Sequence, residues 1–309
     1  MDELRAACAQ VATRARRVHV DAAAIPAYAA SLAELMPPAA VAAGAPSTQT
    51  ERERAAAYWL TLDAINFGSG WFPELRKRPG ASGYSTIAQR WRERHDAAGP
   101  FTAAQLTELD AATVARVLGQ DRAHELMALY AASLNDLGAR LCAEHDGRFL
   151  GPVAAAGGSA QTFARMLGRW DCFADVSRYD ELTVPFLKRA QIAAADLHRA
   201  GAAQFGDLER LTMFADNLVP HVLRLDGVLR FDDELVARIE SSQLIEHDSA
   251  EEVEIRACAL HAVELIAADL HRHGRADVTA AAVDELLWNR GQGPRYKAVP
   301  RHRSRCTAY

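Results

Sequence analysis

Ser249-Ala250-Glu251-Glu252-Val253-Glu254-Ile255-Arg256-Ala257-Cys258-Ala259-Leu260-His261-Ala262-Val263-Glu264-Leu265-Ile266-Ala267-Ala268 reads as one long helix with almost no polar face. Ser249 followed three residues later by Glu252 has the form of a capping box. The helical pattern then continues to about His273. Between residues 255 and 268 apolar side chains occupy most of the circumference, and a helix apolar nearly all round is buried. The stretch is therefore expected to be the central helix of an α-helical core. Glu254 and His261 share one face, and Arg256 lies elsewhere on the circumference. Charged groups in such a place need partners. An ion pair of Arg256 with Glu254 or Glu264 and a contact to a bound ligand are both open on this pattern.

Outward from this helix the chain stays helical. Alanine, leucine, glutamate and arginine abound, and alternating β-branched runs are nearly absent. Helices are expected over residues 2–18, from a cap at Asp21 to Met36, and over 51–67, with a Pro/Ala/Gly/Ser/Thr-rich loop at 37–49 between the last two. Gly68-Ser69-Gly70-Trp71-Phe72-Pro73 is a glycine-hinged aromatic loop. Trp71 and Phe72 there either plug a core or, with Phe67, wall a pocket for a flat ring. Further helices are expected at 85–95, in two short pieces over 102–119, and at 121–145, where Leu126, Leu129, Leu134, Leu137 and Leu141 form a core stripe. Residues 171–183 are the one stretch where extended chain is plausible. Pro185 suits the first turn of a mostly apolar helix reaching Arg199, in which Lys188, Arg189 and Gln191 need partners or a polar cavity. Asp232 caps 233–240, and 277–289 is the last clear helix. The tail 290–309 has no acid, carries Arg290, Arg295, Lys297, Arg301, Arg303 and Arg305, and interleaves aromatic side chains that suggest packing onto the body. The expected architecture is all-α: a single large helical domain over 1–309, with helices of residues 1–50 on the main body and a basic strap at 290–309.

The 309 residues, 50% hydrophobic and 24% charged, suffice for a sizeable buried core. A net charge of -5 argues against wholesale coating of nucleic acid. The five cysteines are dispersed, which suggests free thiols in a reducing compartment. No signal peptide and no bilayer-spanning segment are seen, so the cytoplasm is the default and no membrane partner is expected.

One carboxylate stands alone in an apolar run, Leu211-Thr212-Met213-Phe214-Ala215-Asp216-Asn217-Leu218-Val219-Pro220. Burying an ionised carboxylate is costly unless it finds a partner. Asp216 is therefore the N-cap of a helix over 217–225, or a carboxylate held where positive charge develops in a reaction, or both. Nucleotide-loop, Rossmann, nucleophile-elbow and metalloprotease signatures are absent. His271 and His273 sit at a helix end, without the acids or cysteines a metal site would add. What remains is an aromatic set (Phe67, Trp71, Phe214, Trp288, Tyr296), the acid Asp216 and the cation Lys188. Such a set suits a flat base held by stacking, a cationic sugar centre and an anionic phosphate.

Several blocks match a known family. Leu62-Asp63-Ala64-Ile65-Asn66-Phe67, Phe186-Leu187-Lys188-Arg189-Ala190-Gln191, Thr212-Met213-Phe214-Ala215-Asp216, Glu252-Val253-Glu254-Ile255-Arg256 and Leu287-Trp288-Asn289, with the close at 300–309, resemble the queuosine salvage proteins, the queuosine 5′-phosphate N-glycosylases, in order along nearly the whole chain. The resemblance implies a fold similar to the helix-hairpin-helix DNA glycosylases. It also implies hydrolysis of queuosine 5′-monophosphate, releasing queuine for reuse in tRNA. Asp216 matches the catalytic aspartate, Phe214 and Trp288 aromatics at the base, Asn289 a polar neighbour, and Lys188 a phosphate contact, while Asn66, Phe67 and Tyr296 join them as candidate substrate contacts. Glu254 or Asp175 is a candidate partner for the secondary amine of the queuine side chain. The sequence departs from relatives at Asn289, where some carry aspartate, at Gly291-Gln292-Gly293, and around Ala33 and Glu34, where some carry histidine. No metal or cofactor is called for. Two rivals remain: a base-excision enzyme acting on a nucleic-acid polymer, with Lys188 as a Schiff-base nucleophile, and a non-catalytic queuine or nucleotide carrier.

Overall fold

The computed structural model describes residues 1–36 and 48–309. Most of the loop expected at 37–49 therefore lies outside the described residues. In chain order the elements are α1 (Asp2–Arg14), β1 (Val18–Val20), α2 (Ile25–Ala33), α3 (Gln49–Ala64), α4 (Gly83–Ala98), α5 (Ala103–Leu106), α6 (Ala111–Leu118), α7 (Glu125–His145), α8 (Leu150–Ala155), α9 (Ala160–Leu167), β2 (Ser177–Tyr179), β3 (Leu182–Val184), α10 (Lys188–Arg199), α11 (Leu218–Leu225), β4 (Leu229–Phe231), α12 (Asp233–Glu240), α13 (Ala250–Arg272), α14 (Ala280–Arg290) and α15 (Pro294–Lys297). The protein is thus mostly helical, with two short antiparallel ladders, β1 with β4 and β2 with β3. Side-chain caps set many of the helix starts. Thr48 and Thr102 complete capping boxes, and Ser82, Asp110, Ser159, Ser249 and Thr279 each accept a backbone N–H from the first turn.

Two compact units emerge, each assembled from three chain segments. The first takes its described residues from Met1–Val41, Val176–Lys188 and Glu209–Arg305. Its centre is α13, buried along most of its length and packed on α1, α2, α11, α14 and β1. The second takes its described residues from Ala42–Asp175, Arg189–Leu208 and Cys306–Tyr309. Its centre is α7, packed on α3, α5, α6 and α8, with Leu126, Leu134, Leu137 and Leu141 of the expected leucine stripe fully buried and Leu129 only half-buried.

Three expectations need correcting. The helix expected to start at Pro185 starts at Lys188, because Leu187 takes a left-handed backbone, φ 52°, that a helix cannot contain. The helix expected over 2–18 stops at Arg14, and Val18-His19-Val20 pairs with Leu229-Arg230-Phe231 as a ladder too short to show a period-two pattern. Arg256 pairs with Glu252, at 3.6 Å, rather than with Glu254 or Glu264. Glu264 pairs instead with Arg5, at 2.9 Å.

Candidate active site

Residues 211–216 form no helix or strand, so their backbone groups cannot be satisfied by a ladder. Side chains of the first unit satisfy them. Arg5 donates to the carbonyls of Arg210 and Leu211 at 3.0 and 3.2 Å. Asp284 Oδ1 accepts the Phe214 N–H at 3.2 Å. Arg256 Nε donates to the Ala215 carbonyl at 3.0 Å. Asn217 Nδ2 donates to the His302 carbonyl at 3.1 Å. Asp216 Oδ1 accepts the N–H groups of Leu218 and Val219 at 2.8 and 3.2 Å, so the aspartate does cap α11. Burial alternates along the loop: Met213, Ala215 and Asn217 are buried, whereas Phe214 and Asp216 are only half-buried. That alternation leaves the Phe214 ring and the Asp216 carboxylate partly open to solvent. Gly291 helps set this region, because a Cβ there would lie 2.8 Å from Leu218, the first residue of α11.

Charge accumulates around Asp216. Asp284, on α14, is buried, and burial drives its pKa well above the usual carboxylate range. The neighbouring Asp216 carboxylate adds to that rise, and the Phe214 N–H and the Lys188 cation oppose it. Lys188 is itself buried, as the first residue of α10 directly after the left-handed Leu187. A cation at a helix N-terminus is opposed by the macrodipole, so helix stability does not account for its place. Arg301, in the tail, is pulled below its ordinary pKa by burial and raised by Asp216. Asp284 thus acts on Asp216 and Lys188, and Asp216 on Arg301, next to the Phe214 backbone. Trp288 is half-buried, one helical turn beyond Asp284.

Residues 46–309 match the family model described as queuosine salvage protein. The chain belongs to the queuosine salvage protein family. Among its relatives is the queuosine 5′-phosphate N-glycosylase/hydrolase of Sphaerobacter thermophilus, 36% identical over 267 residues that cover 84% of this chain and 82% of the relative. The protein of the same name from Dictyostelium discoideum is 31% identical over 265 residues, covering 82% and 78%. That from Mus musculus is 32% identical over 189 residues, covering 57% and 56%.

Within this family member, the first unit brings together the expected residues Asp216, Phe214 and Lys188. Asp284 and Arg301 were not expected. A carboxylate on the apolar stripe of α14, between Ala280 and Leu287, was a legible signal for Asp284, whereas Arg301 is one of several arginines in a basic tail. Asn289, at the end of α14, is exposed. Glu254 is engaged elsewhere: its oxygens accept the backbone N–H groups of Arg16, Arg17 and Val18 at 3.0, 2.7 and 3.1 Å, and the Tyr179 hydroxyl at 2.8 Å. Those bonds make it the anchor of the chain between α1 and β1 rather than a partner for a ligand amine. The Tyr296 hydroxyl donates to Asp226 at 2.8 Å and accepts from Arg290 Nε at 2.6 Å, which ties α15 down.

Asn66 and Phe67 belong to the second unit. Phe67 is core there, edge-on to Tyr130 with centroids 4.9 Å apart and 5.1 Å from the Arg189 guanidinium. Trp71 is likewise buried, donating to Glu125 at 2.9 Å, which favours its core role. Asp175 is buried in the same unit. Among the described residues, His247, Asp248 and Glu252 bring metal-ligand atoms within 4.8 Å of one another. Glu252, however, already faces the Arg256 guanidinium at 3.6 Å and accepts the Asp248 N–H at 3.2 Å. A resident cation therefore accounts for its charge.

Proposed function

We propose that this protein hydrolyses the N-glycosidic bond of queuosine 5′-monophosphate and releases queuine for salvage into tRNA. The observation that carries this is the half-open Asp216 carboxylate, fixed by two backbone N–H groups beside Phe214, in a chain related to proteins named for that reaction. As the bond from ribose to base breaks, positive charge grows on the sugar. A carboxylate held in place stabilises that charge without reorganising. Phe214 and Trp288 stack the base, and Asn289 lies at its edge. The 7-deazapurine leaving group has no N7 to protonate, so help must come from elsewhere on the ring. Asp284, whose pKa burial drives well above the usual carboxylate range, is suited to donate that hydrogen bond. Lys188 and Arg301 supply positive charge for the 5′-phosphate.

The same proposal holds the chain to be one domain, akin to the helix-hairpin-helix DNA glycosylases and acting in the cytoplasm without a stable nucleic-acid partner. Its helical bulk, the net charge of -5 and the five free thiols support this. Among the described residues no helix is long and apolar enough to cross a membrane. The test is incubation with queuosine 5′-monophosphate, the nucleoside and intact queuosine-containing tRNA, followed by detection of free queuine. Release from the mononucleotide is expected. Release from tRNA alone would favour the base-excision rival, and binding without release would favour a carrier.

A further inference from the structure

Arg256 is 0% exposed, in the second turn of α13. A buried ion pair is in itself weak evidence of a stabilising role, since well-packed apolar residues often replace such pairs without loss. The contacts of Arg256 point to a different use. Nε donates to the Ala215 carbonyl at 3.0 Å, one peptide before Asp216. The guanidinium lies 3.9 Å from the centroid of the Phe186 ring, two residues before Lys188. Nη1 lies 3.6 Å from Glu252 Oε1. Glu252 is held in turn by the Asp248 N–H at 3.2 Å. One rigid planar group on the central helix therefore touches the segments that carry Asp216 and Lys188.

We propose that Arg256 is a positioning residue for the hydrolysis, fixing the peptide plane at Ala215 and thereby the direction in which Asp216 leaves the backbone. The proposal rests on Asp216 being the group that meets the sugar. The Leu218 and Val219 N–H groups hold the carboxylate at its far end, and Arg256 holds the chain at its near end. Loss of either restraint lets the carboxylate drift. A misplacement of about 1 Å costs about 100-fold in rate. Because Arg256 meets neither base nor phosphate, binding is left alone.

Arg256→Lys tests this, because lysine keeps the charge opposite Glu252 but has neither the Nε–H nor the planar face. The expected result is kcat lowered about 100-fold, with KM and the Kd for queuine within about threefold of wild type. In the Asp216→Asn background the same change is expected to cost almost nothing more, since a restraint on a group already removed has no further effect. Unchanged kcat, or kcat, KM and queuine affinity all worsening together, would overturn the proposal. If Arg256→Lys fails to fold by near-UV circular dichroism, Phe186→Leu removes only the stacking face. A kcat loss at constant queuine affinity supports the proposal there, and an unchanged kcat overturns it. Wild type is assayed alongside: failure to release queuine sinks the proposed function itself, whereas an active wild type with an equally active variant sinks only the role of Arg256.

Discussion

At the scale of single residues, Asp284 is where stability and function pull apart. Its pKa is raised in the fold above the unfolded value, chiefly by burial. Its contribution is therefore most favourable below about pH 4 and is lost as pH rises. Asp284→Asn keeps an oxygen for the Phe214 N–H and removes the penalty of holding a carboxyl protonated in the fold where the unfolded chain ionises it. Thermal melts are expected to show the variant more stable than wild type at pH 8, with the gap closing toward about pH 4. An Asn variant less stable than wild type at pH 8 would mean that Asp284 is ionised and paired. Asp284→Ala, which leaves no donor at that place, is expected to slow queuine release by about 100-fold, the usual worth of one positioned hydrogen-bond donor. Lys188 is tested by its substrate dependence. Lys188→Met is expected to lose far more kcat/KM on queuosine 5′-monophosphate than on the nucleoside, and equal losses would remove it from the phosphate. A borohydride-trapped adduct in wild type would instead indicate a Schiff base.

At the scale of elements, the tail is held by a lock around Asp226. Asp226 accepts the Tyr28 hydroxyl at 2.7 Å and the Tyr296 hydroxyl at 2.8 Å, and meets Arg290 Nε at 3.2 Å. Tyr296→Phe is expected to lower unfolding free energy by about 1 kcal/mol, with queuine affinity measured by calorimetry unchanged. A loss of affinity without a loss of stability would restore Tyr296 to the site. The starts of α12 and α13 were legible because Asp232 and Ser249 are local signals that reach only two or three residues, whereas α3 and α4 start two residues earlier than expected, at the caps Thr48 and Ser82. The central burial of α13 was legible from its missing polar face. Partners were not, since Glu254, Glu264 and Arg256 are equally good ions in the sequence. Which meets which depends on side-chain directions that only packing fixes. Leu187 shows the same limit: nothing in Pro185-Phe186-Leu187 announces a left-handed leucine, yet that residue moves the helix start and places Lys188. Asp216 was legible as a cap, since one of its oxygens accepts two N–H groups, and its half-open side chain is what the proposed role at the sugar requires.

At the scale of the whole molecule, acid is expected to loosen the fold through two buried histidines. Burial holds His302 down to about 3 and His221 down to about 4. Both are neutral in the fold at pH values where the unfolded chain, near pH 6.5, takes up protons. Stability is therefore full above about pH 6.5 and falls on acidification, by about 1.4 kcal/mol per pH unit for each histidine down to its folded pKa. In calorimetric melts from pH 7 to pH 4.5 this loss runs against the gain from Asp284, so each histidine is read as the difference in slope between wild type and its variant. His221→Gln should flatten the slope; an unchanged slope would mean His221 is not buried neutral. The intact enzyme also gives the most direct test of the central claim, that Asp216 acts through its charge on a cationic sugar. Asn caps helices about as well as Asp, so Asp216→Asn is expected to melt like wild type and still bind queuine. In single-turnover reactions with queuosine 5′-monophosphate it is expected to release queuine slower by orders of magnitude. A destabilised variant that still turns over at the wild-type rate would contradict the account and leave Asp216 as a helix cap alone.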